Sequence, residues 1–169
     1  MSITDKTLAG TCKCVRKARA SIRMPASCDT DLAHFKAKFD AGANSAITQY
    51  FFNADAYADF IERCALAGIR PPIVPGVMPI GRVSRLVQFS EARGIEIARW
   101  IRRRMESFAD DHASIQAFGT EVVLRLCERL LEMGAPGVYF FSLNGGERVA
   151  GIWRALGVRQ VGGAGCAMR

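Results

Sequence analysis

An α/β fold with parallel strands follows from three observations. Short apolar runs alternate with longer stretches of helical spacing. Capping residues and glycines mark the ends of those stretches. Half of the 169 residues are hydrophobic and 23% are charged, enough for one domain with a sizeable core. The order reads helix, strand, helix, strand, helices, strand, helix. Alternation of this kind builds right-handed βαβ units on a parallel sheet.

The elements follow in turn. Residues 29–41 form a helix, with Asp29 as N-cap, Leu32, Phe35 and Phe39 on one face, and Gly42 as the stop. Residues 45–52 form the first strand. Residues 53–67 form a helix capped by Asn53, with Tyr57, Phe60, Ile61 and Cys64 at helical spacing. Ile73 and Val74 read as a short buried strand that Pro75-Gly76 breaks into a loop or bulge. Residues 81–93 return to helix with Val83, Leu86 and Val87 inward, joined by Phe89 or Ser90. The helix over 96–108 places Ile97, Trp100, Ile101, Met105 and Phe108 on one side and Arg102, Arg103 and Arg104 toward solvent. Asp110-Asp111 caps a long helix over 112–133, whose apolar face carries Ile115, Phe118, Val122, Leu126, Cys127 and Leu130. GVYFFSLN, residues 137–144, is a buried strand, and residues 146–156 close with a helix. In parallel sheets ligand-binding groups gather at the C-terminal strand ends. Gln49 and Asn144 both stand at such ends.

The net charge is +7, and residues 1–23 hold six basic residues against one acid, Asp5. That segment reads as a basic, disordered arm without a strand pattern. No aromatic residue is interleaved with its charges, so a nucleic-acid partner is not expected. No apolar stretch spans a membrane. Cys12-Lys13-Cys14 is the one close pair of thiols, and with His34 and His112 as the sole histidines no four-ligand metal site is expected. The six cysteines read as reduced thiols, and the expected location is the cytoplasm.

The run AGANSAITQYFFNADAYADFIERCALAGIRPPIVPGVMPI, followed by FSEARGIEIARWIRRRMESFADD and GVYFFSLN, closely resembles the methylenetetrahydrofolate reductases. The likeness runs from about Met24 to Val158, leaving residues 1–23 as a divergent arm and 159–169 as a flexible tail. It implies a partial (β/α)8 TIM-type barrel, about the C-terminal half, since a whole barrel takes about 250 residues. It also implies FAD as cofactor and NADH or NADPH as hydride donor. The reaction it implies reduces 5,10-methylenetetrahydrofolate to 5-methyltetrahydrofolate, in one-carbon metabolism and methionine synthesis.

The same resemblance implies that Gln49, Phe89 and Arg85 face the folate substrate, Gln49 at the pterin and Phe89 stacked on a ring. It implies that Asp31, His34 and Lys38 face the phosphate or ribose region of FAD. No catalytic residue is expected in this chain, because the family's general-acid glutamate belongs to the N-terminal half of the barrel. Two departures stand out: Arg85 occupies a position where relatives carry a neutral polar group, and Gly145 one where they carry an arginine on the folate tail, with Arg148 three positions on. A half barrel leaves two open sheet edges and an inner face shared by Ile47, Ile73 and Val138. The chain is therefore expected to pair with a complementary N-terminal half or to self-associate, or else to be a non-catalytic remnant. Alone, it is expected to lack the flavin spectrum and not to oxidise NADH.

Overall fold

The computed structural model describes residues 20–22, 29–143 and 145–157. The first nineteen residues, with Cys12-Lys13-Cys14, and the tail beyond Gly157 lie outside the described residues, as does Asn144. In chain order the elements are β1 (Ala20–Ile22), α1 (Asp29–Asp40), β2 (Ala46–Tyr50), α2 (Ala54–Leu66), β3 (Ile73–Val77) and α3 (Val83–Arg93). They continue as α4 (Arg99–Glu106), α5 (His112–Glu132), β4 (Tyr139–Phe140) and α6 (Gly146–Ala155).

The four strands form one sheet in the order β1-β2-β3-β4, and every neighbouring pair is parallel. Strands that neighbour in chain order, with no reversal, are the arrangement of a barrel segment rather than of a doubly wound sheet. The α/β class and the partial barrel expected from the sequence are what the chain forms.

Three strands differ from the sequence reading. β1 lies inside the basic arm, where the sequence shows no strand pattern; it forms by pairing Ala20, Ser21 and Ile22 with Ala46, Ile47 and Thr48. β3 does not stop at Pro75-Gly76 but continues to Val77. Pro75, which has no N–H, falls in the register shift between the Ile47–Val74 and Tyr50–Gly76 pairs, and Gly76 leaves the room that Thr48 and Phe141 fill. β4 is shorter than residues 137–144, although Phe141 N–H still donates to Val77 C=O at 2.9 Å. Beyond it Gly145 N–H donates to Ser142 C=O at 2.7 Å, and that tight turn ends the strand.

Two helices start at the caps the sequence marks, whereas Asp29 lies inside α1 rather than capping it, and α4 covers only Arg99–Glu106 of the expected 96–108. Asn53 Oδ1 accepts from Asp55 N–H at 3.0 Å and starts α2. Asp111 accepts from Ala113 and Ser114 N–H, both at 3.1 Å, and starts α5. Gly94, at φ 60°, closes α3 in the left-handed conformation that glycine adopts without strain. On α4, Ile101 and Met105 are buried and Arg102 to Arg104 exposed as expected, but Trp100 is 58% exposed. Its ring meets Phe118 edge-on at 6.1 Å instead of entering the core.

The core joins Ala46 and Tyr50, Ile73 and Val77, and Phe140 to Tyr57, Phe60 and Cys64 of α2, Leu86 of α3, Val123, Cys127 and Leu130 of α5, and Ile152 of α6. Burial pushes the Cys64 thiol up to about 11 and the Cys127 thiol up to about 12. The Tyr57 phenol is raised by burial too, with Cys64 adding to it, and its O–H donates to Ile73 C=O at 2.7 Å. Side chains alternate along β2: Ala46, Thr48 and Tyr50 are buried, and Ile47 and Gln49 are half-buried on the other face. The expected open inner face is therefore narrower than the sequence implies. Ile73, paired beside Ala46, and Val138 are both buried, and of the three only Ile47 is half-buried.

Candidate functional site at the strand ends

Gln49 sits at the C-terminal end of β2, and a β-bulge sets its place. Ala46 pairs with Ile73 and Ile47 with Val74, but the next pair is Tyr50 with Gly76. Three steps along β2 thus oppose two along β3, which interrupts the backbone ladder. The Thr48 side chain fills the interruption. Its hydroxyl accepts from Gly76 N–H at 2.9 Å and donates to Gln49 C=O at 2.9 Å. Thr48 is fully buried, and its hydroxyl pairs with both backbone groups at the interruption. Gly76 completes the joint: a Cβ there would lie 2.4 Å from Thr48 O and 2.7 Å from the Phe141 ring. The Gln49 backbone is thereby tied to β3, while its half-buried side-chain amide makes no hydrogen bond among the described residues.

The next residue links this end to α3. Tyr50 Oη and Ser90 Oγ, both buried, lie within hydrogen-bond distance at 3.2 Å. Ser90 and Leu86 form the inward stripe of α3, which places Phe89 on its flank, half-buried. The Arg93 guanidinium covers the Phe89 ring at 4.8 Å. Arg85 lies one turn before Phe89 and is exposed. Gln49, Phe89 and Arg85 thus belong to neighbouring elements joined by the Tyr50–Ser90 contact.

Arg85 also lines a cleft of about 210 Å³ beyond β3 and β4, with Met78, Pro79, Gly81, Arg82, Leu86, Ser142, Leu143 and Arg148. Three of these nine residues are arginines and none is acidic. Sequence reading passed over Thr48, Arg82 and the packing of Arg148. The signals available were a glycine soon after each strand, Gly81 and Gly145, marking backbone that something approaches closely.

The three residues expected at FAD are placed differently. Asp31, His34 and Lys38 follow one another at i, i+3 and i+7 on α1, a single helical stripe. His34 and Lys38 are exposed, opposite buried Phe35, and Asp31 stands in the first turn. A cation and an imidazole on an open stripe fit the phosphate and ribose end of a dinucleotide by their donor chemistry. They offer point contacts and do not enclose a ring. Among the described residues no group of three His, Cys, Asp or Glu is placed to hold a metal ion, and no helix is long and apolar enough to cross a membrane.

Polar and cationic groups gathered at one end of consecutive parallel strands define a segment of a barrel-type α/β enzyme. The methylenetetrahydrofolate reductase family profile matches residues 18–157, a span that takes in β1 and begins ahead of Met24. The chain belongs to the methylenetetrahydrofolate reductase family. It is 33% identical over 133 residues to the 5,10-methylenetetrahydrofolate reductase of Escherichia coli (strain K12), covering 79% of this chain and 45% of that enzyme. It is 36% identical over 134 residues to a probable methylenetetrahydrofolate reductase (NADPH) of Caenorhabditis elegans, covering 79% of this chain and 20% of that one. The chain therefore spans less than half the length of these relatives. Among solved structures, an uncharacterized protein from Clostridium thermocellum that binds two copies of 5-methyl-5,6,7,8-tetrahydrofolic acid shares the fold. Its TM-score is 0.53 at 20% identity, over 76% of this chain and 49% of that one.

Proposed function

We propose that this chain supplies the folate-facing groups of a methylenetetrahydrofolate reductase, which reduces 5,10-methylenetetrahydrofolate to 5-methyltetrahydrofolate. The observation that carries this reading is the half-buried Gln49 amide, without a hydrogen bond among the described residues, whose backbone is tied at the strand end by the Thr48 bridge. A carboxamide offers a donor and an acceptor side by side, which suits the edge of a pterin. Phe89, on the flank of α3, presents a ring face for stacking once Arg93 moves off it. Arg85 supplies positive charge for the anionic end of the same ligand.

The chemistry FAD would supply, if bound, is hydride relay between NADH or NADPH and the folate. Asp31, His34 and Lys38 would meet its phosphate and ribose region from the α1 stripe. No residue of this chain is assigned as general acid. A complementary half, or a second copy, pairing along the β1 and β4 edges belongs to the same reading, because an edge strand leaves backbone groups unpaired. The buried free thiols Cys64 and Cys127 suit a reducing, cytoplasmic setting.

The test is direct titration of the purified chain with 5-methyltetrahydrofolate, followed by calorimetry. Binding that Gln49→Ala weakens about tenfold supports the reading, since a lost pair of hydrogen bonds is worth about 1–2 kcal/mol. Binding that Gln49→Ala leaves unchanged, or none at all, refutes it.

A further inference from the structure

We propose that the outer face of α4 docks on the outer face of α2 of a second copy of this chain. The contact stands apart from the folate reading, since Gln49, Phe89 and Arg85 belong to neither helix.

The two faces carry opposite charge, and each leaves a pair of charges unmatched. On α4, Arg99, Arg102, Arg103 and Arg104 are all exposed. Arg102 reaches Glu91 at 3.9 Å, and the Arg104 guanidinium lies over the Phe108 ring at 4.9 Å. The side chains of Arg99 and Arg103, at i and i+4, have no partner among the described residues. On α2, Asp55, Asp59 and Glu62 follow at i, i+4 and i+7, on the side away from buried Tyr57, Phe60 and Cys64. Asp55 pairs with Arg129 of α5, whereas Asp59 and Glu62 have no partner among the described residues. Like charges three or four residues apart on a helix repel one another. A stripe of the opposite sign relieves both helices at once.

Each unmatched pair has an exposed apolar neighbour. Leu66 is 83% exposed and Trp100 58%, the two highest values among the large hydrophobic residues described. Leu66 follows Glu62 by one turn, and Trp100 lies between Arg99 and Arg103. Tryptophan and arginine are the side chains most enriched at the energetic centres of protein interfaces. The spacings also agree. Arg99 and Arg103 stand about 6 Å apart along their helix, and Asp59 and Glu62 about 4.5 Å along theirs. With the helices antiparallel, Arg103 faces Asp59 and Arg99 faces Glu62. Helical side chains lean toward the N-terminus, so in that arrangement Trp100 and Leu66 lean toward each other. The chain supplies both halves of the match, which selects a second copy over an acidic partner of other origin. Used reciprocally the contact closes a dimer; used once in each direction it builds a ring or a chain. An eight-residue helix on a thirteen-residue one makes a small patch, so the association belongs in the weak, micromolar class.

The experiment is sedimentation equilibrium on the full chain at low and at high salt. The wild type is expected to self-associate at micromolar concentration, and added salt is expected to weaken it. Two variants reverse one face each: Arg99→Glu with Arg103→Glu, and Asp59→Lys with Glu62→Lys. Each is expected to weaken self-association about tenfold or more, with an unchanged circular dichroism spectrum, because all four side chains are exposed. An equimolar mixture of the two variants is expected to associate again, since every α4 then has an α2 of opposite sign to meet. A wild type that stays monomeric at low salt overturns the proposal. So does association that both reversals leave unchanged, which is the result expected of pairing along the sheet edges alone. Losses that the mixture fails to restore overturn it too. A monomeric wild type that binds poly-L-glutamate through Arg99 and Arg103 assigns α4 to an acidic partner instead. Gln49→Ala should leave the sedimentation unchanged, so failure at the strand ends and failure at this contact are read separately.

Discussion

The two strand ends that meet at the mouth of the sheet are built on opposite principles. At the end of β2, the backbone groups around the bulge are satisfied: Gly76 N–H, the Thr48 hydroxyl and Gln49 C=O form a closed series, and Tyr50 reaches Ser90. At the ends of β3 and β4 the reverse holds. Among the described residues the buried Arg148 Nε has no partner, three arginines line one cleft, and Leu143 adopts a positive φ. The first end is hydrogen-bonded and neutral, and its Gln49 amide makes no hydrogen bond among the described residues. The second stores unsatisfied charge.

The contrast can be broken most forcefully at Gly76. Gly76→Val drives a side chain into Thr48 O and the Phe141 ring, and overpacking of this kind costs about 3 kcal/mol. A fall of that size in urea-unfolding stability is expected; an unchanged midpoint would mean that the bulge relaxes freely. Thr48→Val keeps the shape but removes the bridge, taking its hydroxyl partner from the buried Gly76 N–H and from Gln49 C=O. About 2 kcal/mol should be lost, with rapid hydrogen exchange at the Gly76 amide, and Thr48→Ser should recover most of it.

Leu143→Gly addresses the other end and has the opposite sign. Relief of the left-handed conformation should raise stability by up to about 1 kcal/mol, less the entropy glycine gives up on folding, as read by thermal unfolding. The smallest effect is expected far from both ends, at the α5 cap. Hydrogen bonds from Ser114, side chain first, hold the Asp111 carboxyl below its ordinary value. Because the folded value is the lower one, the cap's contribution is present above the ordinary carboxyl value of 3.8 and is lost as pH falls through the folded value. Asp111→Ala should speed hydrogen exchange at Ala113 and Ser114 and leave the Gly76 amide untouched.

Much of this molecule was legible in the chain. α2 announces itself through Asn53 and a periodic apolar face, and α5 through Asp111 and the recurrence of Ile115, Val122, Leu126 and Leu130. Gln49 was visible because a polar residue closes an apolar strand. What stayed hidden depends on partners far along the chain. Ala20–Ile22 becomes a strand only because β2 offers an edge. Pro75-Gly76 reads as a break until Thr48, 28 residues away, supplies the missing acceptor. Thr48 itself looks like an ordinary β-branched strand residue, since its hydroxyl matters only across the bulge. Arg148 stands out in the sequence only as a basic residue three positions past Gly145, and its packing against Gly81 and Gly145 appears once α6 folds.

The Thr48 hydroxyl has one further consequence. An amide can only donate and a carbonyl can only accept, so the proton on Oγ1 has a single permitted direction, from Thr48 toward Gln49. Most hydroxyl rotors choose among several settings; this one has no choice. The three dipoles run head to tail and polarise one another, so a pull on the Gly76 amide is felt at the Gln49 carbonyl. Two strands that share no regular ladder at this point are joined instead by a one-way electrical contact.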